Sequence, residues 1–230
     1  MSERKKDTLK ASIVLLVYAL WIIFKRIAER GPGLSDTGRV LLNIPFYIAF
    51  GIIVIFIFRK DFLDGIKDWK DHWLKNVLVL AGILILNPVL GTIALIPGYT
   101  IWPDGGTIND SNIENFIRVA QPALIILATG ILGPVVEETI FRIILIKKAS
   151  LDNNKSKLIT VISIVISSFL FLLIHCHEFT AMEILLNMDK FVAGLLFGSA
   201  LWFTKNPTVP ALAHILNNTV GLTLIMLFTK

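Results

Sequence analysis

Cysteine occurs once in this chain, at Cys176, so an intramolecular disulfide is excluded and no CxxC pair supports a structural zinc site. Charge is scarce: 17% of the 230 residues are Asp, Glu, Lys or Arg, 55% are hydrophobic, and the mean hydropathy is +0.74. That balance excludes an ordinary soluble domain and marks an integral membrane protein. No internal repeat or low-complexity tract is present, which removes support for a transporter built of duplicated halves. The net charge of +5 comes from Lys and Arg in short clusters between apolar runs. Such clusters set membrane orientation and do not make a nucleic-acid-binding face.

What remains is a succession of apolar runs. Residues 11–24, 40–58, 76–102, a run from about 116 through the carboxylates near 137, and residues 158–174, 191–204 and 208–229 predict an all-α polytopic protein with about seven transmembrane helices. Gly31-Pro32-Gly33 separates the first two, and Gly133-Pro134 predicts a break in the fourth. Asn87-Pro88 and Pro97-Gly98 predict a kink or re-entry in the third, and residues 103–115 a polar loop. Gly194 and Gly198 on the short sixth run predict close packing against a neighbour. In residues 61–75, Phe62, Ile66, Trp69 and Trp73 recur at helical spacing, which predicts one interfacial amphipathic helix with tryptophans at headgroup level. The chain divides into a variable transmembrane region, 1–110, and a core, 115–225, within one integrated membrane domain. Lys and Arg are dense in 1–10, 59–75, 147–157 and at Lys205, and absent from 176–189. That alternation predicts a multi-pass protein of the cell membrane with a cytoplasmic N-terminus, although Lys25, Arg26, Arg30 and Arg39 would then face outward.

Several intramembrane chemistries are excluded by what is missing. His177-Glu178 starts an HExxH zinc signature, but Ala181 stands where the second histidine belongs. Gly198-Ser199-Ala200 is not a GxSG turn, and every aspartate falls outside the predicted spans. The polar groups inside the spans are Glu137, Glu138 and Arg142, then His175, then His214 with Asn218. Ionisable groups at such depth are costly and normally mark function. Glu138 and Arg142 are four apart with the acid first, so they pair on one helix face, whereas Glu137 points about 100° away. Read alone, the pair is a packing device and each histidine a core residue. Two glutamates, two histidines and an asparagine on three separate spans point instead to a site.

Three segments carry a resemblance. Glu137-Glu138-Thr139-Ile140-Phe141-Arg142 is similar to the EExxxR motif of the CPBP family, the type II CAAX prenyl endopeptidases and the bacteriocin-processing or bacteriocin-immunity proteins also called Abi. Phe171-Leu172-Leu173-Ile174-His175 resembles its FxxxH motif, and His214-Ile215-Leu216-Asn217-Asn218 its HxxxN motif. The resemblance implies an intramembrane endopeptidase. Glu137 would activate water and Glu138 pair with Arg142 or assist. His175 and His214 would polarise the scissile carbonyl or hold a metal, and Asn218 would stabilise the oxyanion. Glu137, His175 and His214 would suit zinc, while the favoured expectation requires no cofactor. The substrate would be a membrane-embedded or membrane-anchored peptide, in processing or immunity related to bacteriocins or peptide signals. The alternative is a non-catalytic membrane immunity or scaffold protein that binds a toxin or sensor.

Overall fold

The structure is a computed structural model that describes residues 3–30, 35–153 and 155–228. Its helices are α1 (Glu3–Arg30), α2 (Asp36–Ile57), α3 (Arg59–Asp71), α4 (Trp73–Ile101), α5 (Ile108–Val119), α6 (Pro122–Leu151), α7 (Lys157–His175), α8 (Ala181–Leu185), α9 (Met188–Thr204) and α10 (Thr208–Phe228). No strand occurs among the described residues. Several helix starts follow from capping residues. Ser35, Thr107, Ser156 and Thr180 each accept a hydrogen bond from a backbone N–H one turn on, at Gly38, Asp110, Ile159 and Glu183.

Six described helices are long and apolar enough to cross a membrane: α1, α2, α4, α6, α7 and α10. The seventh expected span, 191–204, lies in α9, a helix of 17 residues that falls short of that length criterion. The Gly31-Pro32-Gly33 break lies outside the described residues.

Helix α6 is the axis of the fold. Of its most apolar stretch 72% is buried, against 33% or less for the other five candidate spans. Val136, Ile140, Phe141 and Ile143 of α6 pack into one core with Val54 of α2, Phe171 of α7, Phe197 of α9 and Ala213 of α10. Helix α9 lies close on α7 because it presents glycines there. A Cβ on Gly194 would stand 2.8 Å from Ser168 Cα, and one on Gly198 would stand 2.9 Å from Ile164 Cγ2.

Four local expectations are corrected. The interfacial helix ends at Asp71, so Trp73 and Lys75 belong to α4; the chain turns at His72, whose backbone N–H bonds Asp68 O. Trp69 turns into the protein rather than outward, and its Nε1 donates to Thr208 Oγ1 at 2.8 Å. Residues 108–119, expected as mostly loop, form α5, because the buried Thr107 caps it and Asp110 complements its first turn. The chain does not break at Gly133-Pro134, and because Pro88 and Pro97 lie inside one continuous helix, α4 does not turn back as a re-entrant segment. In α6, wide π-type turns over Ile126–Leu132 give way to α-helix at Gly133–Glu138, and π-type turns resume at Thr139–Leu151. Pro134 has no N–H to pair, and it sits where the bonding register changes.

Candidate active site

The short α-helical turn Gly133–Glu138 carries Glu137 and Glu138 side by side, and the wider turns after it bring Arg142 beneath Glu138. Arg142 Nε lies 3.1 Å from Glu138 Oε2, and both side chains are almost wholly buried, at 0% and 1% exposure. The contact is an ion pair without hydrogen-bond geometry, since none of the guanidinium nitrogens makes a directed hydrogen bond. Aromatic faces supply the rest of the cation's surroundings. Its Cζ stands 4.8 Å from the ring centre of Phe171, 5.3 Å from Phe197 and 5.9 Å from Phe141.

His214 reaches this pair from α10. Its Nδ1 is 3.0 Å from Glu138 Oε1 and its Nε2 is 3.7 Å from Glu137 Oε2. With Arg142 balancing Glu138, the carboxylate is the acceptor and Nδ1 carries the proton, so Nε2 is turned toward Glu137. Phe197 stacks on the imidazole at 5.0 Å and 29°, and Phe171 meets it edge-on at 5.7 Å. His175, at the end of α7, has its Nδ1 2.7 Å from Phe171 O and its ring 4.9 Å from that of Phe171. That backbone bond fixes the ring one turn above the aromatic box.

A cavity of about 410 Å³ opens on this cluster. Glu137, His175, His214 and Asn218 line it, whereas Glu138 and Arg142 lie behind the wall. Asn218 Nδ2 donates to Thr129 O at 3.5 Å, and Thr219 and Ser167 hydroxyls donate to Gly130 O and Phe141 O. Side chains of α7 and α10 thus tether the carbonyls of α6 on either side of the carboxylates.

The cavity also contains residues to which the sequence reading gave no role. Tyr18 of α1, Asn43 and Tyr47 of α2, and Asn87 of α4 line it. Asn87 Nδ2 donates to Asn217 Oδ1 at 3.2 Å, joining α4 to α10. Their one sequence signal is polarity inside an apolar run, the same signal that singled out His214. Asp189 and Lys190, paired at 2.5 Å in the first turn of α9, close one end.

The expected zinc set can be compared with this geometry. Each imidazole has Nδ1 held by an oxygen, as in many metal-binding histidines. Among the described residues, however, no three His, Cys, Asp or Glu side chains come close enough together to hold a metal ion. Glu137, His175 and His214 therefore do not form a three-ligand set in this arrangement.

An all-helical membrane protein whose buried carboxylates and histidines converge on one internal cavity defines the class. Residues 119–220 match the family model described as Type II CAAX prenyl endopeptidase Rce1-like, a finding that supports the resemblance to the CPBP family of intramembrane proteases. The matched segment holds Glu137, Glu138, Arg142, His175, His214 and Asn218, and excludes α1 to α4. No curated protein and no solved structure gives a match.

Proposed function

We propose that the chain is an intramembrane endopeptidase that hydrolyses a peptide bond of a membrane-bound peptide or protein by glutamate-activated water. The observation that carries this reading is the unequal placing of the two carboxylates. Glu138 is spent on Arg142 and His214, whereas Glu137 alone of the pair faces the cavity. A separation of 3.7 Å between Glu137 and His214 Nε2 is too long for a direct hydrogen bond and suits a bridging water.

In this mechanism Glu137 takes a proton from water as the water oxygen bonds to the scissile carbonyl carbon. The carbonyl π-electrons move to oxygen, and the oxyanion is met by the amide of Asn218. Collapse of the tetrahedral species breaks the C–N bond, and the proton held by Glu137 passes to the leaving nitrogen. A carboxylate and an amine result. His214, oriented by Glu138, holds the water and Glu137 in register. Arg142 keeps the Glu138 charge compensated throughout. The peptides processed would serve bacteriocin maturation or immunity, or peptide signalling, at the cytoplasmic side of the cell membrane.

The test is mass-spectrometric cleavage of a membrane-peptide pool by the purified protein. Glu137→Gln is expected to abolish cleavage at normal abundance and folding. If wild-type protein cleaves nothing, and Glu137→Gln keeps the cellular phenotype, the chain is a non-catalytic immunity or scaffold protein instead.

A further inference from the structure

Two asparagines meet on the cavity wall halfway along their helices. Asn87 stands at the midpoint of α4, and Asn217 stands one residue short of the midpoint of α10. Both helices are candidate membrane spans, and both residues line the cavity. Asn87 Nδ2 donates to Asn217 Oδ1 at 3.2 Å, which leaves Asn87 Oδ1 and Asn217 Nδ2 without a hydrogen bond among the described residues. These edges are accessible: Asn87 is half-buried and Asn217 exposed. The wall beside them is open at Gly221, where an added Cβ would meet nothing within 4 Å. On α10, His214 faces the site one turn before Asn217, while Val220 and Leu224 beyond it point outward at 55% and 48% exposure. The pair thus stands where the cavity borders the apolar outer surface.

Amide groups at this depth are costly in hydrocarbon unless they find partners. The bond between the two asparagines ties α4 to α10 but uses only part of their capacity, since each amide can both donate and accept more than once. A membrane-bound substrate has the complementary need. Its backbone N–H and C=O groups are paired while it is helical, but a segment that unwinds to expose a peptide carbon to water frees groups that the bilayer cannot satisfy. A free amide acceptor beside a free amide donor matches one N–H and one C=O of an extended chain.

We infer that Asn87 and Asn217 form a binding subsite for extended polypeptide backbone, in which Asn87 Oδ1 accepts from a substrate N–H and Asn217 Nδ2 donates to a substrate C=O. The inference rests on the peptidase reading and deepens it, because contacts to the main chain select an unwound segment rather than a particular side chain. Asn217 lies about 4.5 Å along α10 from His214, and an extended chain advances about 3.3 Å per residue, so the backbone held here is one or two residues from the scissile bond.

The test uses a peptide that wild type cleaves and Glu137→Gln does not, made with single ester linkages that each replace one backbone N–H near the scissile bond by oxygen. At one position the ester is expected to raise the wild-type KM about fivefold, the worth of one hydrogen bond. The same ester should have no effect in Asn87→Leu, whose KM on the all-amide peptide is already raised as much. Asn217→Leu should raise KM on the all-amide peptide by a similar factor, with kcat unchanged. Wild-type KM in both variants, or ester effects equal in wild type and Asn87→Leu at every position, would overturn the subsite and leave the peptidase reading intact. A lowered melting temperature with those equal ester effects would make the pair a tie between helices and overturn it equally. Absence of any cleavage by wild-type protein would overturn both.

Discussion

His214 Nδ1 lies 3.0 Å from Glu138 Oε1, which turns the opposite edge of the imidazole toward Glu137. One carboxylate therefore orients the histidine and the other faces the cavity with it. Glu138 can do so in an apolar core because Arg142 compensates its charge.

This division of labour separates the effects of neighbouring substitutions. Arg142→Ala strands a buried carboxylate and Glu138→Ala strands a buried guanidinium, so each is expected to cost about 3–5 kcal/mol. Because Arg142 is held by aromatic faces and one ion pair, without directed hydrogen bonds, the double variant should lose much less than the sum of the two. Melting of the four proteins in detergent measures this coupling. Additive losses, or Arg142→Ala at wild-type stability, would mean that the pair does not support the fold.

A second prediction concerns the face bearing α3. Partial burial works against ionisation of Asp68, but hydrogen bonds from Asn76 Nδ2 at 2.9 Å, His72 Nδ1 at 2.7 Å and Asn206 Nδ2 at 3.0 Å prevail and hold its carboxyl below the usual range. A depressed folded-state value means that these contacts stabilise the protein fully above the unfolded value of about 4 and are lost as pH falls through the lower folded one. Wild-type melting temperature should therefore drop on acidification below about pH 4, and Asp68→Asn should be less stable near neutrality with a flatter acid limb. Parallel acid limbs in the two proteins would remove Asp68 as the cause.

The parts of this architecture that were legible in the sequence are those that a single helix encodes. Four-residue spacing showed that Glu138 and Arg142 share a face and that Glu137 does not, and polar residues in apolar runs picked out His175, His214 and Asn218. Which helix packs on which is not written in such periodicity. So the contact of His214 with Glu138, the aromatic box from three helices, and the wall formed by Tyr18, Tyr47 and Asn87 could not be read. Proline and glycine misled for a related reason: a change of hydrogen-bond register absorbed Pro134 without a break. Two of the four cations that spoiled the charge alternation have work inside the protein. Arg26 Nη2 donates to Leu173 O and Cys176 O, capping the end of α7, and Lys25 lines the cavity.

Helix α9 yields a topological prediction. Its entry lies at the end of α4, where a Cβ on Gly98 would stand 2.9 Å from Leu186 Cδ2. Just past its exit, Asn206 Nδ2 donates to Gly65 O of α3, which precedes the start of α4. The 17 residues of α9 extend about 26 Å, close to a bilayer core of about 30 Å. We therefore expect α9 to cross, with the N-terminus and Asn153 cytoplasmic and Asn109 and Glu178 external. Single cysteines at these positions, on a Cys176→Ala background, should label from outside only at 109 and 178. Labelling of Lys205→Cys from outside would show that α9 does not cross.

The last prediction concerns metal. An imidazole that donates through Nδ1 presents the lone pair of Nε2, and that edge can accept from a water or ligate zinc; His175 and His214 are each held in this way. Grouping decides between the two uses. A catalytic zinc needs three protein ligands about 2 Å from one point, and no three candidate side chains gather so closely among the described residues. Glu137 and His214, 3.7 Å apart, are spaced for a shared water. Cleavage should therefore survive exhaustive dialysis against a chelator, and the active protein should carry zinc well below one equivalent. Loss of cleavage on chelation that zinc alone restores, together with loss of bound zinc in His175→Ala and His214→Ala, would mean that the cavity closes around a metal and that Glu137 acts as its ligand rather than as the base.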